Sequence, residues 1–392
     1  MHLAQRLQRL GTETAFVVLA KARALEAQGK DIVHLEIGEP DFDTPDNIRG
    51  AAKKAIDDGF THYGPAAGLP QTRQAIARYM STTRGIDVHP EHVVVTPGAK
   101  PVMFYVMLAC VDEGDEVIYP NPGFPIYESM INFVGGVPVP LQLHEEKGFS
   151  FDIADLEKLI TKKTRLLIIN SPQNPTGGVL TKEDIVKIAA LAQANNLIVL
   201  ADEIYDQIVY DGFEPYSIAS IPGMQERTII LDGFSKTYAM TGWRLGFGVM
   251  PVELAEAVTK LQTNSVSCTA SFAQIAAIEA LTGPRNAITT MVTEFKRRRD
   301  VIVDGLNAIP GFRCHKPRGA FYVFPNITGT GKSSREMENL LLNEAGVAGL
   351  SGTSFGKFGE GYVRFSYANS IENINKALER IERVMKGTAV SV

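Results

Sequence analysis

Between residues 91 and 250, short apolar runs alternate with amphipathic stretches of helical period. An apolar run too short for a helix and closed by turn residues fits a strand buried on both faces, the condition of a parallel sheet sandwiched between helices. The runs at 92–96, 116–119, 137–143, 165–169, 197–200, 228–231 and 245–249 therefore predict seven strands. Helical period at 101–111, 125–133, 152–159 and 182–194 supplies connections between them. The expectation is an α/β domain with a mostly parallel seven-stranded sheet, whose ligands sit outside the carboxyl ends of the strands.

Near residue 285 the pattern changes. A long helical segment at 286–308 is followed by a strand-like run at 320–325, a helix near 334–344, an alternating strand at 362–366 and an amphipathic helix at 371–385. This reads as a smaller α+β domain that also recruits the start of the chain. Residues 44–284 are expected to form the large domain, and residues 1–43 with 285–392 the small one, a division in keeping with a length of 392 residues.

Composition narrows the class. A formal net charge of −5, with 21% charged and 45% hydrophobic residues, is the balance of a soluble globular enzyme. The basic cluster Lys296-Arg297-Arg298-Arg299 falls inside a predicted helix, where successive side chains spread around the axis. It reads as a solvated or interface surface, and no nucleic-acid partner is expected. Cys110, Cys268 and Cys314 are too far apart for a metal site or a disulfide framework, so no metal and a reducing compartment are expected. The apolar stretch 15–20 is broken by Lys21 and Arg23, which predicts neither a signal peptide nor a membrane span. Cytoplasm is the expected location.

Candidate chemistry centres on Ser235-Lys236-Thr237, just after a predicted strand, with Gly242-Trp243-Arg244 following. A lysine amine flanked by a hydroxyl and a guanidinium suits covalent attachment of pyridoxal phosphate, the latter two groups binding its phosphate. Asn174 stands in the rigid turn Asn174-Pro175-Thr176-Gly177 after one strand, and Asp202 closes another with Tyr205 three residues on. A carboxylate at a strand end favours the protonated form of a pyridine ring, and that proton makes the ring an electron sink. Gly98-Ala99-Lys100 opens a helix whose first amides face an anion.

In this order and at this spacing, the Asn-Pro-x-Gly turn, Asp-x-x-Tyr, Ser-Lys and Gly-x-Arg-x-Gly resemble the fold-type I, class I pyridoxal-phosphate aminotransferases, from about residue 35 to the last helix. The resemblance implies that Lys236 holds the cofactor covalently and serves as general base. It implies that Asp202 pairs with the pyridine nitrogen, and that Asn174 and Tyr205 hydrogen-bond the phenolic oxygen. Ser235, Arg244 and the amides of Gly98, Ala99 and Lys100 would hold the phosphate, with Tyr63 reaching the partner's phosphate across a homodimer. Phe124 would stack on the ring, a mild departure from the tryptophan or tyrosine common in relatives. Arg364, with Gly38 and Asn174, would receive the substrate α-carboxylate through a bidentate fork that lysine cannot reproduce. Lys100 matches a lysine that reads an acidic side chain in a prokaryotic branch of aspartate aminotransferases.

The implied activity is ping-pong transfer of an α-amino group from an L-amino acid, aspartate or glutamate among the candidates, to a 2-oxo acid. Aromatic or kynurenine-type and aliphatic donors stay open, because Phe124 and Tyr127 would suit a broad apolar pocket. A carbon–sulfur β-lyase on the same fold is the alternative enzyme. A non-catalytic effector-binding domain would need an output module, and no DNA-binding segment is visible. A nicotinamide dehydrogenase should carry Gly-x-Gly-x-x-Gly opening a helix. Here Gly242-Trp243-Arg244-Leu245-Gly246-Phe247-Gly248 follows Lys236 instead.

Overall fold

The computed structural model describes residues 3–387. A helix, Thr14–Glu26, leads to a two-residue strand, β1 (Val33–His34). The large sheet comprises β2 (Val93–Thr96), β3 (Glu116–Asn121), β4 (Val137–Gln142), β5 (Thr164–Asn170), β6 (Ile198–Asp202), β7 (Thr228–Gly233) and β8 (Gly246–Val249), in the order β2-β8-β7-β6-β5-β3-β4. All neighbours run parallel except β8, which is antiparallel to both β2 and β7. The sheet matches the expectation within a few residues at each strand.

The central strands are apolar throughout because neither face meets water. In β5, Leu166 and Ile168 point into one core while Leu167 and Ile169 point into the other; Leu200 of β6 joins the first, and Val199 and Ala201 the second. Such alternation between two dry layers is what a doubly covered sheet demands. Register sets Asn170 opposite Asp202, and Asp202 opposite Leu231, so that several functional candidates lie at one edge.

Beyond the sheet, strands β9 (Tyr322–Val323), β11 (Leu350–Ser351) and β12 (Val363–Ser366) form an antiparallel group in the order β11-β12-β9, while β10 (Val347–Ala348) pairs in parallel with β1. The 320–325 run shrinks to the two residues of β9. The helix expected at 334–344 spans Ser334–Leu340, started by a Ser333/Glu336 capping box, and passes into a π turn, Leu341–Ala345, closed by Gly346 at positive φ. Helices Asp46–Asp57, Pro70–Arg84, Val252–Ser265 and Ser271–Thr282 were not anticipated by the periodic pattern.

The basic cluster on helix Asn286–Ala308 departs from the solvated surface expected for it. Arg298 and Arg299 are buried: Arg298 lies 2.6 Å from Asp41, and Arg299 lies 2.7 Å from both Asp211 and Asp300. Their faces are turned inward by the width of the helix's buried stripe, and acidic partners from other segments compensate the charge. The three cysteines are free. Among the described residues, no helix is long and apolar enough to cross a membrane.

Candidate active site

A cavity of about 540 Å³ opens at the carboxyl edge of the large sheet. Its walls combine the N-terminal segment around Gly38, the sheet edge around Asn174 and Asp202, the loop carrying Lys236, and Tyr322 and Arg364 from the small antiparallel group. Residues separated by more than 300 positions thus meet at one place.

Asn174 is held by its own turn. Its backbone N–H donates to Asn170 Oδ1 at 3.0 Å, and its Oδ1 accepts from Arg364 Nη1 at 3.1 Å. Arg364 is buried, donates through Nη2 to the Glu36 carbonyl, and stacks 4.6 Å from the centre of the Tyr322 ring. Its Nε has no acceptor among the described residues, and burial pushes its pKa down. A buried guanidinium with an open donor is a ready receptor for a carboxylate. Gly38 stands beside it, and a Cβ there would run into the Tyr322 hydroxyl.

Lys236 projects its amine into the cavity. Nζ donates to the Gly38 carbonyl at 2.6 Å and lies 5.7 Å from the centre of the Phe321 ring. Burial lowers its pKa to about 8. Asp202 responds in the opposite sense to the same cause: burial raises its pKa to about 6, while hydrogen bonds from Tyr127 and the Ile204 N–H oppose the rise. Tyr205 meets Tyr322 hydroxyl to hydroxyl at 2.8 Å. Two titratable groups are therefore held with pKa values much closer together than those of free lysine and aspartate, an arrangement that accompanies proton chemistry.

The turn before helix Lys100–Cys110 needs one correction. The Gly98 N–H turns back to the Thr96 carbonyl at 2.8 Å, so it is not free for an anion. The N–H groups of Ala99 and Lys100 have no acceptor among the described residues, and Pro101 has no N–H to add. Gly98 itself does not line the cavity, yet it keeps the space that Arg244 occupies, because a Cβ there would collide with the Arg244 guanidinium. Ser235 and Arg244 line the cavity together with Ala99 and Lys100, and the Arg244 guanidinium lies against Gly98.

Phe124 lines the cavity too, edge-on to Tyr127 at 5.6 Å and beneath the Lys100 amine at 5.4 Å. Lys100 is not waiting free: its amine pairs with Glu13 at 2.8 Å. Tyr63 lies outside the cavity of its own chain and is 92% exposed. Three contributors escaped the sequence reading or were misplaced by it. Tyr322 and Glu13 went unnoticed, and Tyr127, expected as apolar lining, commits its hydroxyl to Asp202.

This geometry agrees with the kinship of the chain. The family model of aminotransferase class I and II matches residues 30–381, and the chain belongs to that family. It is a pyridoxal-phosphate-dependent transaminase of the fold-type I architecture. An aspartate aminotransferase of Pyrococcus abyssi is 45% identical over 91% of this chain and 92% of its own length. Aromatic-amino-acid aminotransferase 2 of Thermococcus litoralis is 42% identical over 98% of this chain and 99% of its own. The structure of the Thermus thermophilus aspartate aminotransferase with maleate superposes with a TM-score of 0.94 at 38% identity, covering 98% of this chain and all of that one.

Proposed function

We propose that this transaminase accepts aspartate or glutamate as amino donor, together with aromatic amino acids, and works as a cytoplasmic homodimer whose partner supplies Tyr63. The observation that carries the reading is the buried Arg364 fork, with its open Nε, set in the same cavity as the Lys236 amine. A fork is matched to a carboxylate, and a buried amine of lowered pKa to proton transfer.

The residues present fit pyridoxal phosphate. Two unpaired amides at a helix start, Ser235 and Arg244 suit its phosphate, Asp202 its pyridine nitrogen, Asn174 and Tyr205 its phenolic oxygen, and Phe124 one face of its ring. When bound, the cofactor supplies the electron sink that makes an α-proton of an amino acid removable. Arg364 and Asn174 fix the substrate carboxylate and so orient the α-carbon. Lys236 would take the substrate α-proton on its amine in the neutral form that burial makes accessible. Asp202 would hold a proton on the ring nitrogen. The proposed division into residues 44–284 and residues 1–43 with 285–392 places these groups on two bodies around one cavity.

Support for an acidic donor comes from Lys100 at the cavity wall and from the dicarboxylate, maleate, in the Thermus structure. Phe16, Phe124 and Phe355 give the same cavity apolar walls for an aromatic donor, in line with the Thermococcus relative's name. Comparing kcat/KM for aspartate and phenylalanine with 2-oxoglutarate as acceptor tests this. Lys100→Ala is expected to lower the aspartate-to-phenylalanine ratio by about tenfold, the worth of one charge-assisted hydrogen bond. An unchanged ratio would move acidic recognition elsewhere, and pyruvate with ammonia released from a cysteine conjugate would favour the lyase. Sedimentation of the active enzyme as a monomer would contradict the dimer.

A further inference from the structure

Tyr127 is fully buried, and its hydroxyl lies 2.5 Å from Asp202 Oδ2. It belongs to helix Ile126–Val134, far in sequence from the strand end that carries Asp202. Asp202 Oδ1 receives a longer bond, 3.3 Å, from the Ile204 N–H. We infer that Tyr127 is a positioning residue that acts through Asp202, keeping that carboxylate ionised and aimed so that it can hold the proton on the cofactor's pyridine nitrogen. The inference rests on the transaminase reading above.

A buried carboxylate stays ionised only where donors or positive charge support it. Asp202 sits in a site that favours its neutral form, and Glu203, next along the chain, adds a like charge. Arg84, 2.8 Å from Glu203, draws much of its own charge into a separate pairing with Glu203, Asp206 and Asp232. Facing Asp202 from the other elements are Lys236, from the loop after β7, Tyr205, from the turn after β6, and Tyr127 itself. Lys236 gives its amine to the Gly38 carbonyl at 2.6 Å. Tyr205 is engaged with Tyr322. Tyr127 is the constant donor: burial and the neighbouring carboxylate hold its own proton on, so the bond always runs from phenol to carboxylate. A hydrogen bond given to the charged form of an acid favours that form. Its ring is fixed edge-on against Phe124, which ties the aim of the hydroxyl to the ring-stacking wall.

Tyr127→Phe removes the donor and keeps the ring. With ¹⁵N-labelled pyridoxal phosphate bound, the nitrogen chemical shift reports ring protonation directly, without turnover. The inference expects the ring-nitrogen titration of Tyr127→Phe to move about one pH unit or more toward acid, and kcat to fall about ten- to a hundredfold with KM for the amino acid changed less than about twofold. In an Asp202→Asn background the same substitution should add less than about twofold, because its route is already cut. A ring nitrogen that titrates as in the parent enzyme, or two substitutions whose effects multiply independently, overturns the inference while leaving the transaminase reading intact. A parent protein that takes up no pyridoxal phosphate overturns both. If Tyr127→Phe melts early without cofactor, 3-fluorotyrosine at position 127 keeps the packing and strengthens the donor; the titration must then move toward alkali, and movement toward acid or none overturns the inference.

Discussion

Lys236 draws its reactivity from its surroundings more than from its neighbours in sequence. Burial, aided by the positive charge of Arg364 and opposed by Glu39, brings its amine from the ordinary 10.5 to about 8. Below that pH the amine is protonated and cannot attack a carbonyl, and above it the free base predominates. The rate at which cofactor-free protein captures pyridoxal phosphate should therefore climb with pH and reach half its maximum near pH 8; a midpoint near 10.5 in stopped-flow absorbance would contradict the burial argument. The same shift has a stability consequence. The unfolded chain binds the extra proton first, so the cofactor-free protein loses stability as pH falls from about 10.5 to about 8. At this scale the sequence exposes Lys236, Asp202 and Asn174 because they fall in short motifs that follow strand-like runs in a fixed order, and Arg364 because it interrupts an alternating strand. Tyr127 and Tyr322 belong to none of these motifs. Their partners, Asp202 and Tyr205, are 75 and 117 residues away, a pairing that only the folded chain brings about.

The sheet was legible for a reason that also explains where legibility ends. Strands covered on both faces must be apolar at every position, which leaves a short unbroken run between turns, as in 166–169 and 199–201. Helix Ser271–Thr282 is apolar nearly all round, so it carries no polar stripe to mark its period. The two residues of β9 are too few to carry a pattern. The turn at 96–99 depends on close approach rather than on pattern. Gly246, in β8, faces it so tightly that a Cβ would run into the Ala99 nitrogen, one of the two free amides. Gly246→Ala is thus expected to displace that amide and weaken pyridoxal-phosphate binding by about ten- to a hundredfold, the scale of a modest overpacking cost. Equilibrium dialysis against the folded variant measures it, and unchanged affinity would remove this turn from the phosphate site.

For the whole molecule, the cavity is a product of topology. The start of the chain reaches the small antiparallel group through β1 and β10, and Ser366 donates its N–H to the Leu35 carbonyl at 2.7 Å, which brings Gly38 and Arg364 to the edge of the large sheet. The order of motifs along the chain announced the class of enzyme. It did not disclose that Glu13 occupies Lys100, or that Gly98 contributes space in place of its amide. In the proposed function, substrate choice follows from such arrangements, whereas covalent attachment rests on Lys236. The most direct measurement is to reduce the loaded enzyme with borohydride, which fixes pyridoxal phosphate to whichever amine holds it, and to map the modified peptide by mass spectrometry. One equivalent of phosphopyridoxyl group per chain is expected, on Lys236; a label on another lysine, or none, would refute the assignment of Lys236.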